Sequence, residues 1–249
     1  MSEQNFAGRT AIIVGGASGM GLLAGQDLAK QGATVILADV NGEKVEALAA
    51  DIRANGGNAY GVKCDVRKVE DIENAVAFTR EKGGSVDIMI YTAGGFAGRI
   101  FNCPEPFQSR PYEVLDWGID VNLKGALFFC RAVIGTMIEQ KRGVMIVLGS
   151  IDGVTGSAWS VDYGAAKSGM IGMVKGLALL GAPHNVRACC VSPGPVLTRP
   201  GMANMPTPMG RAAEPQEVVD LILYLASDKA AFISGDNYLI DGARACMVR

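Results

Sequence analysis

The sequence predicts an α/β fold in which a doubly wound parallel sheet of seven strands carries helices on both faces. Seven short runs of aliphatic and β-branched residues recur along the chain, and longer segments with helical spacing separate them. The runs are apolar throughout rather than alternating, which is typical of strands buried on both faces. Strict alternation of strand and helix, with right-handed crossovers, then produces an open parallel sheet between two helical layers.

The predicted elements follow one another without a linker, so we expect a single domain over residues 1–249. The strands are TAIIV (10–14), TVILAD (34–39), AYGVK (59–63), DIMIY (87–91), GVMIVL (143–148), VRACCV (186–191) and NYLI (237–240). The helices are predicted at 19–31, 43–55, 68–82, 112–140, 161–182 and 215–226. Acidic residues near the start of 68–82 and 215–226 suit a helix N-terminus. Such sheets bind ligands beyond the carboxyl ends of their strands.

Composition and charge exclude several classes of protein. Apolar residues make up 49% and charged residues 19% of the 249 residues, as in compact domains. The net charge of −2, without a basic run, argues against a nucleic-acid partner. The polar first residues do not resemble a signal peptide, and no apolar run reaches the roughly 18 residues of a membrane span. A small-molecule partner and no membrane association are therefore expected.

The cysteines and the histidine indicate neither a metal site nor a histidine-dependent triad. The six cysteines form no C-x-x-C pair, and Cys189 and Cys190 are adjacent, so neither bound zinc nor a disulfide framework is expected. Reduced thiols suit a cytoplasmic location. The single histidine, His184, is interpreted as a loop residue after a helix, which disfavours a Ser-His-Asp mechanism.

A glycine motif follows the first predicted strand and opens the first predicted helix. In VGGASGMG (14–21), Gly15 allows a sharp turn, Gly19 a close approach of backbone to a pyrophosphate, and Gly21 close packing of helix on strand. The helix N-terminus supplies N–H donors and a positive dipole end to the phosphates. Ser18 and Met20 lie within the same turn. The strand-turn-helix setting therefore indicates a dinucleotide site.

Asp39 ends the second predicted strand, 18 residues after Gly21, close to the spacing of about 20 for an acid that binds the ribose hydroxyls. The alternative is an aspartate that only caps the next turn in DVNGEK. A carboxylate there would repel a 2′-phosphate, and neither Ala17, Ser18 nor Val40 offers a cation. NAD is therefore predicted over NADP.

Tyr163 and Lys167 are four residues apart in VDYGAAKSG, so a helix places them on one face, one turn apart. Ser150 comes 13 residues before Tyr163, just beyond the strand at 143–148 and so at the ligand-binding edge of the sheet. A nearby ammonium favours a phenolate, which could accept a proton from an alcohol. Taken alone, such a tyrosine and lysine would more often be a surface pair.

Several motifs together resemble the short-chain dehydrogenases/reductases over essentially the whole chain. They are GGASGMG with Asp39, CDV (64–66), TAGG (92–95), VNLKG (121–125), Ser150, YGAAK (163–167) and SPGPVLT (192–198). The resemblance implies a Rossmann fold, a nicotinamide cofactor, and catalysis by Asn122, Ser150, Tyr163 and Lys167. In this reading Tyr163 exchanges the proton, Ser150 holds the substrate oxygen, Lys167 also binds the nicotinamide ribose, and Asn122 supports the active-site helix and a relay water.

The resemblance also implies the remaining cofactor contacts and an oligomer. The expected contacts are Asp65 and Val66 at the adenine, Ala93 and Gly94 in the cofactor cleft, and Pro193, Gly194, Val196 and Thr198 near the diphosphate or nicotinamide. A homotetramer or homodimer is expected, with the helices at 112–140 and 161–182 between subunits. The sequence departs from the family where YTAG (91–94) replaces the common NNAG, a change expected to weaken hydrogen bonds that support the sheet.

The substrate is predicted from apolar residues around the expected site. The irregular segment at about 193–214 is interpreted as a substrate-binding lid, because long connections in compact domains are often functional. Its methionines, together with nearby aromatic residues, suggest a hydrophobic alcohol such as a hydroxysteroid or bile acid. These residues are Met202, Met205, Met209, Phe96, Phe101, Phe107 and Trp159. They could equally close the core or a subunit interface.

Other functions stay open. A sugar, polyol or other small alcohol dehydrogenase and a 3-oxoacyl-type reductase share the expected chemistry. A regulator that binds NAD without chemistry is disfavoured by the complete group of four catalytic residues. A dehydratase or epimerase on an extended scaffold is disfavoured by the short chain.

Overall fold

A computed structural model describes residues 5–247 as one seven-stranded sheet between two layers of helices. All neighbouring strands are parallel, in the order β3-β2-β1-β4-β5-β6-β7. The strands are β1 (Thr10–Val14), β2 (Thr34–Asp39), β3 (Asn58–Lys63), β4 (Ile88–Tyr91), β5 (Gly143–Leu148), β6 (Val186–Pro193) and β7 (Asn237–Ile240). The predicted fold class is confirmed.

The helices alternate with these strands. They are α1 (Gly19–Lys30), α2 (Gly42–Ala54), α3 (Val69–Gly83), α4 (Ala97–Ile100), α5 (Tyr112–Ile119), α6 (Gly125–Gln140), α7 (Asp152–Thr155), α8 (Val161–Gly181) and α9 (Pro215–Ala226). A π-helical segment, Asp120–Lys124, joins α5 to α6, so the helix predicted at 112–140 is interrupted. The two four-residue helices α4 and α7 were not predicted, since they are too short to show a helical period.

Two apolar layers sandwich the sheet because successive strand residues point to opposite faces. Ile13 lies in a layer with buried residues of α1, α2 and α9, whereas its neighbour Ile12 lies in a layer with residues of α3, α6 and α8. Both isoleucines are fully buried. Burial on both faces explains why the five inner strands are continuous apolar runs, whereas the edge strands β3 and β7 are only partly buried.

Strand order reverses between β1 and β4, which are neighbours although two strands separate them in the chain. The connections after β1 and β4 therefore leave the sheet in opposite directions and open a crevice at the carboxyl ends of the strands. The glycine turn follows β1 and TAGG follows β4, so both motifs lie at this crevice.

The stretch Tyr112–Gln140 is long and apolar enough to cross a membrane by length and composition alone. Half of its most apolar window is buried within the protein. Core helices of globular proteins have the same composition, so this stretch is weak evidence for a membrane segment.

Candidate active site

A cleft of about 370 Å³ opens at the point where the strand order reverses. Eleven of the residues predicted to contact the cofactor line it: Gly15, Ser18, Gly19, Met20, Gly21, Asp39, Asp65, Val66, Ala93, Gly94 and Thr198. They come from the ends of β1, β2, β3, β4 and β6, which the chain separates by up to 183 residues. We call this the dinucleotide cleft.

The turn after β1 is shaped so that side chains are excluded. Gly15 has φ +87°, and a Cβ there would lie 2.6 Å from the nitrogen of Ala93. A Cβ at Gly21 would lie 2.4 Å from the carbonyl oxygen of Gly15. Gly19, with φ +56°, has open space where its Cβ would be, next to the first N–H groups of α1. This cradle fits a dinucleotide pyrophosphate, whose charge the helix N-terminus would stabilise.

Asp39 lies at the end of β2 and lines the dinucleotide cleft. Its carboxylate accepts hydrogen bonds from the backbone N–H of Ala17 (3.2 Å) and of Asn41 (3.1 Å). The two interpretations of Asp39 are therefore compatible, since one carboxylate fixes the turn to Asn41 and also faces the cleft.

Arg67 also lines the dinucleotide cleft, which sequence analysis did not predict. Its guanidinium donates to Asp65 at 2.6 Å and 2.9 Å, and this hydrogen bond is the main reason why the pKa of Asp65 is lowered. The guanidinium of Arg67 is therefore paired with Asp65, and two of its N–H groups already have acceptors within the protein.

A second cleft, of about 190 Å³, adjoins the first. The two share Met20, Leu148 and Thr198. We call the second one the tyrosine cleft, because Ser150 and Tyr163 line it. Besides the shared residues, the predicted cofactor contacts in its lining are Pro193, Gly194 and Val196.

Lys167 is on the same face of α8 as Tyr163 but behind it, 97% removed from solvent. Its ammonium nitrogen lies 5.5 Å from the centre of the Tyr163 ring and donates to the carbonyl oxygen of Leu148 at 2.6 Å. The i, i+4 prediction is thus met geometrically, and the carbonyl at the end of β5 holds the lysine in place.

The pKa of Tyr163 moves opposite to the direction expected from a nearby ammonium. The pKa is raised to about 12, chiefly by burial and also by the charge of Asp152, while the hydrogen bond with Ser150 and the charges of Arg199 and Arg99 oppose the rise. Desolvation outweighs the neighbouring cations because the phenolate would be the charged form. Tyr163 is therefore protonated at neutral pH, as a proton donor to a ketone must be.

Burial lowers the pKa of Lys167 to about 8. The folded protein then loses this proton as the pH rises from about 8 to 10.5, whereas the unfolded chain keeps it, so stability attributable to Lys167 rises with pH in that window. We expect the free energy of unfolding of the wild type, minus that of Lys167→Met, to increase between pH 7.5 and 10, as measured by urea denaturation. Parallel profiles for the two proteins would refute the lowered pKa.

Asn122 is fully buried in the π-helical segment, and both polar atoms of its side-chain amide form hydrogen bonds with backbone groups. Its Nδ2 donates to the carbonyl oxygens of Gly95 (3.0 Å) and Gly118 (2.8 Å), and its Oδ1 accepts from the N–H of Gly95 (2.9 Å). A Cβ at Gly94 would lie 2.2 Å from the same Oδ1. Asn122 therefore ties the turn after β4 to α5, beside the dinucleotide cleft.

The expected weakening around YTAG is wrong. The hydroxyl of Thr92 lies within hydrogen-bond distance of the carbonyl oxygens of Val14 (2.9 Å) and Gly15 (3.2 Å) and donates to them. The hydroxyl of Tyr91 donates to the carbonyl oxygen of Val121 (2.6 Å). The replacement side chains therefore make their own connections between β1, β4 and the π-helical segment.

Only part of the predicted apolar lining reaches the tyrosine cleft. Phe96, Met202 and Met205 line it. The other four are elsewhere: Met209 lines a separate depression beside Asp241, Phe101 packs on Trp117 with ring centres 5.6 Å apart, and Phe107 and Trp159 are exposed. No group of histidine, cysteine or acidic side chains suited to a metal occurs in residues 5–247.

Sequence analysis missed two arginines in the tyrosine cleft, Arg99 from α4 and Arg199 from the segment after β6. A signal for them exists, because each follows a strand at the carboxyl edge of the sheet.

Comparison with known proteins agrees with this geometry. The family model for short chain dehydrogenases matches residues 9–207. L-rhamnose 1-dehydrogenase (NAD(P)(+)) of Azotobacter vinelandii is 31% identical, over 94% of this chain and 95% of the relative. Cyclopentanol dehydrogenase of Comamonas testosteroni is 32% identical, over 94% and 96%. The crystal structure of gox2181 superposes with a TM-score of 0.89 at 32% identity, covering 98% of both chains.

The matched region contains the glycine cradle, both clefts, and the residues Asn122, Ser150, Tyr163 and Lys167. The relatives align over nearly their full length, so the likeness extends beyond the nucleotide-binding half. The chain belongs to the short-chain dehydrogenase/reductase family of oxidoreductases.

Proposed function

We propose that this protein is an NAD-dependent dehydrogenase that interconverts a secondary alcohol and a ketone, with Tyr163 as the acid/base. One observation carries the proposal: Ser150 and Tyr163 line a cleft that is continuous with the dinucleotide cleft through Met20, Leu148 and Thr198. A substrate held there would meet the proton donor and the cofactor at once.

Each residue has a role that its position allows. In alcohol oxidation, deprotonated Tyr163 takes the hydroxyl proton, and in ketone reduction protonated Tyr163 returns it. Ser150 holds the substrate oxygen by hydrogen bonding, while Lys167 stabilises the phenolate from behind the ring. Asn122 keeps the Gly95 turn in place. A nicotinamide ring, when bound, supplies the hydride acceptor.

The preference for NAD rests on charge at the ribose end of the dinucleotide cleft. The carboxylate of Asp39 repels a 2′-phosphate, and the one arginine in the cleft lining, Arg67, is paired with Asp65. The relative that oxidises rhamnose is named for both cofactors, so the preference is argued from these residues alone.

We expect kcat/KM to be far higher with NAD than with NADP, followed by absorbance of the reduced cofactor during oxidation of a secondary alcohol. Asp39→Ser should narrow this ratio at least tenfold, about 1.4 kcal/mol, by removing the repulsion. Asp51→Ser, at an exposed position on α2, serves as the control and should leave the ratio unchanged. Equal efficiency of the wild type with both cofactors would contradict the assignment.

The lining and the size of the tyrosine cleft favour some alcohols over others as substrates. The named relatives act on a sugar and on a cyclic alcohol, so they do not decide between polar and apolar substrates. Phe96, Met202 and Met205 favour apolar character near the reacting carbon, which keeps a hydroxysteroid or bile acid in the screen. The cleft volume of about 190 Å³ is below the roughly 300–1,000 Å³ of drug-sized ligand sites, which favours a more compact alcohol. Polyols and 3-oxoacyl compounds complete the screen.

A homo-oligomer and a cytoplasmic location accompany the proposal. Leu179 and Leu180 near the end of α8 are 79% and 54% exposed, and Leu127 on α6 is 47% exposed, which suits burial between subunits. All six cysteines are free thiols, as in a reducing compartment. Light scattering in solution would distinguish a tetramer or dimer from a monomer.

A further inference from the structure

Two arginines face the place where the substrate would react. Arg99, on the short helix after β4, and Arg199, in the segment after β6, line the same cleft as Ser150 and Tyr163. The charges of both are close enough to affect the titration of Tyr163. Arg99 lies beside the Gly95 turn, since a Cβ at Gly95 would lie 3.3 Å from its Nη2.

Neither guanidinium has a carboxylate partner or a hydrogen bond within residues 5–247. Other arginines that line cavities have partners within the protein: Arg67 pairs with Asp65, Arg211 pairs with Glu217, and Arg187 donates to backbone carbonyl oxygens. The one acid in the tyrosine cleft, Asp152, accepts a hydrogen bond from the Ser160 hydroxyl at 2.7 Å and makes no ion pair with either arginine. The cleft lining therefore carries two positive charges against one negative charge.

The positive charges of Arg99 and Arg199 repel each other, and an anion bound between them would offset this repulsion. Both arginines are exposed residues, and the pKa of Arg199 is lowered by partial desolvation and by the charge of Arg99. A planar guanidinium presents a fork of N–H donors that matches a carboxylate in a bidentate geometry, and such charge-assisted hydrogen bonds are the strong ones. The same cleft is lined by the apolar side chains Phe96, Met202 and Met205 and by the hydroxyl groups of Ser150 and Tyr163. An anion held by both arginines would therefore fix the orientation of a substrate relative to Tyr163.

We propose that the substrate is a hydroxy acid or the corresponding keto acid, with its carboxylate bound between Arg99 and Arg199 and its hydroxyl or ketone oxygen at Ser150 and Tyr163. Both arginines line the same cleft as Ser150 and Tyr163, so one substrate molecule could reach all four side chains. This inference rests on the proposed dehydrogenase activity and specifies the substrate class of the same site.

The arginines could instead bind cofactor phosphate, since Thr198, next to Arg199, lines both clefts. The two kinds of site predict different effects of replacing the arginines. A carboxylate site changes discrimination between an acid and its ester, whereas a phosphate site changes affinity for NADH alone.

The test compares acids with their methyl esters, which differ by one negative charge. The probes are lactate, 3-hydroxybutyrate and mandelate with their methyl esters, and cyclopentanol as a neutral alcohol, each followed by NADH absorbance. We expect kcat/KM for the best acid to exceed that for its ester at least tenfold in the wild type. Arg99→Gln and Arg199→Gln should each lower this acid-to-ester ratio at least tenfold, chiefly through KM for the acid. Arg199→Lys should restore part of it.

The matched control is Arg131→Gln, which removes the same charge from an exposed position on α6 and should keep the wild-type ratio. NADH affinity, measured by fluorescence, should stay within about threefold in both cleft variants. Loss of NADH binding in the variants without a change in the ratio would overturn the carboxylate site in favour of a phosphate contact. Turnover of cyclopentanol or of the esters at least as efficient as that of the acids would overturn the inference while leaving the dehydrogenase proposal standing. NADH binding without turnover of any probe or of the wider alcohol screen would count against the proposed function itself.

Discussion

Tyr163→Phe is expected to lower kcat by about 10³-fold while NADH affinity stays within twofold of the wild type, since a positioned general acid contributes roughly 10²–10⁴. The variant removes one oxygen and keeps the ring that lies 5.5 Å from the ammonium of Lys167. The loss is therefore confined to proton transfer, and packing is preserved. Initial rates with saturating NAD and the best substrate of the screen measure it, together with a fluorescence titration of NADH.

Tyr224→Phe is the matched control, because it removes the same hydroxyl from a side chain on α9, outside both clefts. It should retain full activity. A Tyr163→Phe variant that keeps more than a tenth of the wild-type kcat would show that another group transfers the proton, and the proposed mechanism would be wrong.

Breaking the buried ion pair between Arg110 and Asp162 is expected to destabilise the protein by about 3–5 kcal/mol. The two side chains are 0% and 3% exposed, and Nη1 lies 2.9 Å from Oδ1. The other Nη of Arg110 donates to the carbonyl oxygens of Glu105 and Trp159, both at 3.1 Å. The pair therefore connects the loop before α5 to the start of α8, where Asp162 precedes Tyr163.

Arg110→Met and Asp162→Leu each leave one charge buried without its partner, so the free energy of unfolding should fall in both. Arg110 Nε and Asp162 Oδ2 are already buried without a hydrogen-bond partner among residues 5–247. The double variant removes both atoms, so its loss of stability should be smaller than the sum of the two single losses. Urea denaturation at pH 7 measures all three against the wild type.

The exposed pair of Arg53 and Glu46, 2.8 Å apart, provides the comparison. Arg53→Met should cost about 1 kcal/mol or less, because solvent screens a surface pair. Equal effects of Arg110→Met and Arg53→Met would mean that burial does not strengthen the Arg110–Asp162 interaction.

The sheet was predictable because strand burial on both faces leaves a local signature, a continuous apolar run of four to six residues. Six of the seven predicted strands differ from the observed ones by one residue at most, and β6 runs two residues further, to Pro193. The glycine cradle was predictable for a related reason: Gly15 and Gly21 stand where any Cβ would strike backbone or a neighbouring side chain. Local sterics of this kind restrict which residues a turn accepts.

Interruption of the long helix at Asp120–Lys124 was not predictable, since the apolar pattern continues through it. The segment brings Asn122 to Gly95 and Gly118, contacts that depend on how α5 packs against the turn after β4. The raised pKa of Tyr163 likewise follows from burial, which the spacing of Tyr163 and Lys167 does not contain.

The sequence by itself determined the order of strands and helices, the position of the dinucleotide turn and the residues Ser150, Tyr163 and Lys167, because each depends on local period, spacing or glycine geometry. Only the tertiary structure brought Arg99 and Arg199 to one cleft and Arg110 to Asp162. The two arginines are 100 residues apart in the chain, and Arg110 and Asp162 are 52 residues apart. The sequence around a charged residue does not show which distant residue will lie beside it. The proximity of each pair arises from the packing of loops at one edge of the sheet, which local sequence patterns do not encode.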